Sequence, residues 1–393
     1  MRSLRAVPLG AASAVLAPFF AAPSAVAREA PVAWSAWSAS PVAMDGTALS
    51  AMEQEALARC GAAEGGLRVT ALAVLARKLQ GLPMPELDDV ARMQRAAGEP
   101  HPWARAWVAS GRTLDGATTL AKLDTWLGPA PAESSRRCGV ASGDADGTRA
   151  LAIVVVDVLA DLAPLPTRAR PGQWLTVEAT LRVRATGGQV IVLGPSGPPR
   201  SLPTSFDGRR LRARFAPESQ GEFAVQVMAD VAGGPRPVLE ATVFAGVEPS
   251  ARAADRAAPG EDMAEGELDD EDRLAHLICS ARSAVGLPPL GRDHRLDAVA
   301  RDHAMRMARQ HQLAHDAGDG DPVDRLFAAG LDPRDAGENV ARAATVELAH
   351  RALWASPSHR SNLLRREFDR VGVGVVRDDH GEAWVVETFA GDR

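Results

Sequence analysis

Between Leu175 and Arg184 apolar and polar residues alternate without a break, Leu175, Val177, Ala179, Leu181 and Val183 against Thr176, Glu178, Thr180, Arg182 and Arg184. A period of two puts every apolar group on one face of a strand, so the stretch is stable only within a sheet that buries that face. Leu211, Ala213 and Phe215 repeat the pattern, as do Phe223, Val225 and Val227. Residues 153–156 and 190–193 are short apolar runs, and turn clusters such as Thr186-Gly187-Gly188 and Asp207-Gly208 separate the segments. Short strands at this spacing predict an all-β, immunoglobulin-like sandwich over 148–247. Its cysteine and tryptophan pattern is not that of an antibody domain, so the likeness is one of shape. No catalytic cluster falls in it, which suits a spacer or binding module.

On both sides the period becomes helical. Leu49, Met52, Ala56 and Leu57 recur at helix spacing, then Leu67, Ala71, Val74, Leu75 and Leu79, with Gly81-Leu82-Pro83 as a stop. Residues 45–147 are therefore expected to form a small all-α domain, with Trp103, Trp107 and Trp126 as core groups. The same tryptophans would also suit a stacking surface for sugar or peptide, although core packing is the simpler reading. Cys60 and Cys138 lie in this region and are candidates to bridge its ends; sequence alone does not set the pairing. Cys279 then reads as a small buried hydrophobe.

The N-terminus has the make-up of an export signal over 1–27. Arg2 and Arg5 precede an apolar run over 9–20, and Ala25-Val26-Ala27 is a small-x-small cleavage site. Pro8, Pro18 and Pro23 interrupt the run, which is short for a membrane-spanning helix, and no other such run follows. The mature chain is expected to be secreted, periplasmic or held at the cell envelope. Residues 28–44 are a leader rich in Ala, Pro and Ser. A net charge of -6 disfavours a nucleic-acid partner. Residues 248–268 read as an acidic linker; positions 261–272 alone hold eight carboxylates, which repel and extend the chain. Their spacing does not match a calcium-binding EF-hand. The last of these acids fit the N-terminus of a helix, where they oppose its dipole.

The C-terminal unit, 269–393, carries the most specific pattern. Leu274, Leu277, Ile278, Ala281 and Val285 mark one helix; Leu296, Val299, Ala300, His303 and Met307 mark a second; residues 346–354 suggest a third. Gly337-Glu338-Asn339-Val340 reads as a Gly-flanked turn. Ser356-Pro357-Ser358-His359-Arg360, Asn362-Leu363-Leu364 and Val371-Gly372-Val373-Gly374 follow, and Asp378-Asp379-His380-Gly381 suits a terminal hairpin. Helices closed by a hairpin imply an α+β layer structure. Together with Gly286-Leu287-Pro288-Pro289-Leu290 and Leu313-Ala314-His315, this ordered series resembles the bacterial branch of the CAP superfamily: cysteine-rich secretory proteins, antigen 5 and pathogenesis-related 1 proteins, also called the SCP domain. The resemblance implies an α-β-α sandwich around a central antiparallel sheet. It also implies ligands drawn from lipids or sterols, divalent metals, or other proteins.

By motif, the resemblance carries a cleft of His315, Glu338 and His359 over to this chain. Many eukaryotic members have a second acid there; here that position is Pro357, which cannot ligate. Two imidazoles and a carboxylate are still a sufficient ligand set for Zn with an open position. The alternative is structural, with Glu338 accepting backbone N–H bonds and His359 bracing the next helix. His311 and His315 are four apart, which on a helix would place them together. Gln312 stands where an HExxH motif needs Glu, so a zincin protease is disfavoured. His303 lies on an apolar helix face and reads as a core histidine. The sequence thus points to an exported binding or interaction module with a His/Glu/His cleft and no assigned catalytic residue. A metal-assisted, peptidase-like hydrolase using that cleft is the competing reading.

Overall fold

A computed structural model of the chain describes residues 36–37, 49–63, 65–85, 87–128, 135–232, 234–249, 257–263 and 268–392. The export signal over 1–27 lies outside the described residues, as do most of the 28–44 leader and two stretches of the acidic linker, 250–256 and 264–267.

The part of the leader that is described, β1 (Ala36–Trp37), belongs to the middle unit. The first unit begins at α1 (Ala51–Cys60), where Ser50 and Glu53 each accept a hydrogen bond from the other's backbone N–H. It continues through β2 (Ala62–Ala63), α2 (Gly65–Leu79), α3 (Leu87–Ala96), β3 (Arg105–Gly111), α4 (Gly116–Leu127), β4 (Ser135–Ala145) and β5 (Thr148–Val158). The strands form one sheet in the order β2-β4-β5-β3. α2 covers one face through Leu67, Ala71 and Val74, while α1 and α4 cover the other through Ala56, Leu120 and Leu123. The expected all-α domain is thus corrected: its helices are present, but a sheet lies between them. The reason is visible in β5, whose residues 151–156 are buried on both faces. A strand covered on both sides reads as an unbroken apolar run with no alternation. Such a run was assignable to the sandwich, and β5 moves the boundary of the first unit from 147 to about Val158. Trp107 and Trp126 pack together at 6.3 Å, whereas Trp103 is partly exposed and donates its indole N–H to the Pro237 carbonyl of the middle unit. Cys60 and Cys138 are joined in a disulfide that ties α1 to β4.

The middle unit runs through β6 (Ala160–Leu162), β7 (Leu165–Pro166), β8 (Arg168–Ala169), β9 (Leu175–Leu181) and β10 (Gly187–Leu193). It continues through β11 (Arg200–Leu202), β12 (Thr204–Phe206), β13 (Arg210–Phe215), β14 (Gly221–Val231) and β15 (Gly234–Ala245). A sheet ordered β11-β10-β14-β15-β8 and one ordered β12-β13-β9-β6 share a single core. Val177, Leu181, Leu211 and Phe215 enter it from one sheet and Val190, Val192, Val225, Val227 and Val243 from the other, as period-two alternation requires. β1 pairs with β7, and Trp37 is buried in this core with its indole N–H donating to the Thr242 carbonyl at 2.7 Å. This tryptophan of the leader is a structural residue of the middle unit.

The C-terminal unit comprises α5 (Asp270–Ala284), β16 (Gly291–Arg292), α6 (His294–Gln310), α7 (Pro322–Ala328) and β17 (Asp335–Ala343), then α8 (Val346–Ala355), α9 (Pro357–Leu363), β18 (Arg370–Arg377) and β19 (Ala383–Gly391). Asp269 caps α5 and three acids fill its first turn. Ahead of it, the acidic linker is not all solvated: Ala258 is buried and Glu261 accepts from Arg351 at 2.8 and 2.9 Å. The sheet order is β16-β18-β19-β17, so β17 is an edge strand. β19 runs antiparallel to both neighbours. Alternate residues of β19 face opposite layers. Val385 and Phe389 pack with Leu277 of α5 and Leu353 of α8, whereas Trp384 and Val386 pack with Ala304 and Met307 of α6. Gly372 and Gly374 face α6, and a Cβ on either would run into the helix backbone. The helix lies directly on the sheet because these positions have no side chain.

Candidate functional site

Two expectations about local structure change once the elements are placed. Gly337-Glu338-Asn339 is extended strand within β17, not a turn. His311 and His315 do not share a helix, because α6 ends at Gln310 and His311 caps it in the left-handed conformation, φ 50° and ψ 38°. Strand alternation then divides the motif. Glu338 pairs with Thr388 and Asn339 with Glu387 across β17 and β19, so the two side chains leave the edge strand on opposite faces.

On the Glu338 face the carboxylate is 6% exposed and both its oxygens are engaged. Oε1 accepts from Nδ1 of His315 at 2.9 Å, and Oε2 accepts from the Arg325 guanidinium. An ionised carboxylate only accepts, so Nδ1 of His315 is the donor of this bond. Arg325 reaches the site because Asp321 caps α7 and Pro322 starts it, setting the guanidinium one turn on. It also donates to the carbonyls of His315 and Gly320, at 2.7 and 2.5 Å, and so fixes the loop that carries the histidine. Behind this pair, His303 is fully buried, with Nδ1 2.9 Å from Asp319 and Nε2 3.0 Å from the Ala314 carbonyl. Its Nε2 is also 3.9 Å from Glu338. Burial raises the Asp319 carboxyl, but the His303 hydrogen bond and nearby Arg325 outweigh it and hold the group below its ordinary value.

On the other face Asn339 is fully buried and works as a staple. Its amide donates to the His359 carbonyl at 3.1 Å and to Glu387 at 2.8 Å, while its oxygen accepts from Asn362 at 2.9 Å. Asn362 also donates to the Glu338 carbonyl at 3.1 Å. Both ends of α9 are thereby fastened to β17. His359 lies inside α9, whose first residue is Pro357. Burial, with a smaller contribution from neighbouring His315, lowers the His359 imidazole to about 3. The ring is therefore neutral across the ordinary pH range. Arg360, stacked 4.3 Å over the Trp354 ring, is lowered to about 10 by burial.

His315 and Glu338 are thus in direct contact, with His359 close enough to His315 to be affected by its charge. The groups that sequence reasoning passed over are Arg325, Asp319 and His303. The sequence signal near Arg325 is Asp321-Pro322, a helix start that sets Arg325 one turn in without saying which way it faces. As a zinc centre the arrangement does not fit. A cation on Glu338 would face the Arg325 guanidinium, and among the described residues no group of three or more His, Cys, Asp or Glu is placed to hold a metal ion. What the site offers is an imidazole at His315, a second ring at His359 that burial keeps neutral, and a carboxylate already committed to holding the first.

Comparison with known proteins follows the same stretch. Residues 276–389 match the family model described as CAP, cysteine-rich secretory protein family. An uncharacterized protein of Bacillus subtilis, YkwD, is 32% identical over 116 residues, covering 29% of this chain and 44% of that protein, so the chain spans less than half the length of this curated relative. Among solved structures, an outer surface protein of Borrelia burgdorferi is 20% identical with a TM-score of 0.31, over 33% of this chain and 97% of that one. An SCP-domain protein described as extracellular, from Bacillus anthracis, is 16% identical with a TM-score of 0.29, over 60% and 86% of the two chains. From the ordered motifs, the layers they build and this family match, residues 276–389, the C-terminal third of the chain, are a CAP domain.

Proposed function

We propose that the protein is an exported binding or interaction module, displayed at the cell envelope or outside the cell, whose CAP cleft at His315, Glu338 and His359 recognises a lipid, sterol or protein ligand. Export rests on the signal-like 1–27 segment, and among the described residues no helix is long and apolar enough to cross a membrane. The middle unit, immunoglobulin-like in outline, presents the CAP domain.

The observation that carries this reading is the double engagement of Glu338 by His315 and Arg325. A carboxylate held in this way positions an imidazole for hydrogen bonding and is a poor metal ligand or general base. The competing reading, a metal-assisted hydrolase, requires Glu338 to leave Arg325. The test is binding of a sterol and of phospholipid vesicles by the intact chain, alongside zinc analysis and ester and peptide turnover. Ligand binding that weakens in His315→Ala without turnover supports the module. Zinc-dependent turnover abolished by Glu338→Gln would replace it with the hydrolase.

A further inference from the structure

The sheet of the first unit ends at β3, and this edge is built unlike the others in the chain. Edge strands present unpaired N–H and C=O groups, and folds blunt them by keeping them short, charged or covered. Here every other edge strand is two or three residues long except β17. β17 is blunted in another way: Asn362 donates to its Glu338 carbonyl at 3.1 Å, and its Asp335 and Arg342 are ion-paired. β3 has seven residues, Arg105-Ala106-Trp107-Val108-Ala109-Ser110-Gly111, with a charge only at its first position and no proline. None of them is fully buried, although Trp107 packs on the core under α4, and Ala106 and Val108 pack on the core under α2.

The register says which backbone groups are free. β4 and β5 are joined by Asp146 and Gly147, both at positive φ, 49° and 74°, and in such a two-residue turn the flanking residues, Ala145 and Thr148, exchange both their hydrogen bonds. Alternation along β5 then turns its even-numbered residues toward β4 and its odd-numbered residues toward β3. Trp107 and Ala109, opposite Ile153 and Leu151, therefore bond to β5, while Ala106, Val108 and Ser110 direct their N–H and C=O groups away from the sheet. Among the described residues no strand, loop or side chain answers these groups.

We propose that β3 is the interface for a second copy of this chain, paired antiparallel about a two-fold axis at Val108 so that two sheets become one. Outward residues centred on Val108 are what such an axis requires: Val108 meets the partner's Val108, Ala106 meets the partner's Ser110, and each pair closes both its N–H···O=C bonds. Size matches on the other face. Trp107 comes to lie opposite the partner's Ala109 and Arg105 opposite the partner's Gly111, so each large group meets a small one and the half-covered indole is closed over. Charge matches too: Arg105 and Arg112 stand at opposite ends and face Gly111 and Ala104 of the other copy, so no like charges come together, and Arg105 already lies over the Trp126 ring at 5.2 Å. An unrelated extended peptide has no reason to supply this alternation of large and small. The pairing does not depend on the reading of the cleft. Where the cleft binds, the pair carries two CAP domains, and a surface that repeats the ligand is held at both.

The experiment uses the full chain and no ligand. Sedimentation equilibrium over a concentration series gives the mass and the dissociation constant, and amide hydrogen exchange across 104–112, resolved by fragmentation in the mass spectrometer, reports on the edge at both ends of the series. The mass is expected to rise with concentration to twice that of the chain. Exchange at Ala106, Val108 and Ser110 should slow as it does so, while Trp107 and Ala109 stay protected throughout. Val108→Lys sets two ammonium groups opposite each other across the axis and should raise the dissociation constant at least about tenfold. Ser110→Lys, at the exposed position of the strand, brings a charge to the joint without entering the core; it should raise the constant in the same direction, and it carries the test if Val108→Lys does not fold. A monomer at every concentration overturns the proposal and leaves the edge to a segment of another protein. A dimer that the folded variants do not weaken overturns it as well, because another surface then holds the copies together. Slow exchange at the outward positions in a dilute monomer also overturns it, because the chain then covers its own edge.

Discussion

The guanidinium of Arg325 lies against the carboxylate of Glu338 with both side chains under a tenth exposed, and it binds the His315 carbonyl from the same position. One residue of α7 therefore fixes both the acid of the edge strand and the loop of the histidine. Removing one partner from a buried pair leaves an uncompensated charge, a loss of about 3–5 kcal/mol. Arg325→Met should lower the unfolding temperature of the CAP domain by that equivalent, read by calorimetry. The double variant Arg325→Met with Glu338→Gln should recover part of the loss. Additive losses would show that the two residues are not coupled.

His359 gives the CAP domain a pH dependence of definite sign. The unfolded ring takes its proton near 6.5 and the folded ring near 3, so between these values the unfolded chain binds more protons. Stability is complete above about pH 6.5 and falls as pH drops toward 3, by at most about 1.4 kcal/mol per pH unit. Urea midpoints at pH 7 and pH 4.5 should therefore diverge more in the wild type than in His359→Gln. Parallel slopes would mean that the ring is not held neutral.

Reduction of the Cys60–Cys138 bridge should destabilise the first unit alone. The bridge closes a separation of 78 residues, worth about 4 kcal/mol by loop-closure entropy. Calorimetry with and without reductant should show one transition moving down while the transition of the CAP domain stays in place.

Trp37→Ala should cost the middle unit about 3–5 kcal/mol, the usual range for removing a buried aromatic side chain. It removes a buried indole from the shared core and leaves the Thr242 carbonyl without its donor. A variant as stable as the wild type would show that β1 is not part of the folded unit.

Legibility in the sequence followed the physics of burial. The one-faced strands β9 and β13 were readable because each buries a single side and must alternate. β5 was assigned to the wrong unit because both its faces are covered and its pattern is a plain apolar run. The Val371–Val375 motif was recognisable before its reason was: valines at 371, 373 and 375 fill one layer while Gly372 and Gly374 admit α6 on the other. His315, Glu338 and His359 were found through motif order, since no periodicity marks them. Arg325 was not, because on so short a helix, which exposes Val323 and Phe327 and buries Arg325, a buried arginine looks in sequence like any solvated charge. The hydrogen bond from the Ser358 N–H to the Gln226 side chain was beyond reach, for it joins β14 to α9 across 132 residues and its glutamine sits in the polar phase of an ordinary strand.

The bond between Trp37 and Thr242 spans 205 residues, and the whole first unit lies between its two ends. The first unit is in effect a guest inserted into a host. It contains all its own strands and its own disulfide, so nothing prevents it from folding before the host is complete. The host has to wait. Its earliest strand emerges first and stays unpaired until β7 and then β15 have followed, and the closure of so large a loop carries an entropic delay. A tryptophan-bearing strand therefore stays without its partners while the whole first unit is made, which makes residues 36–37 the place where a holding chaperone would be needed longest.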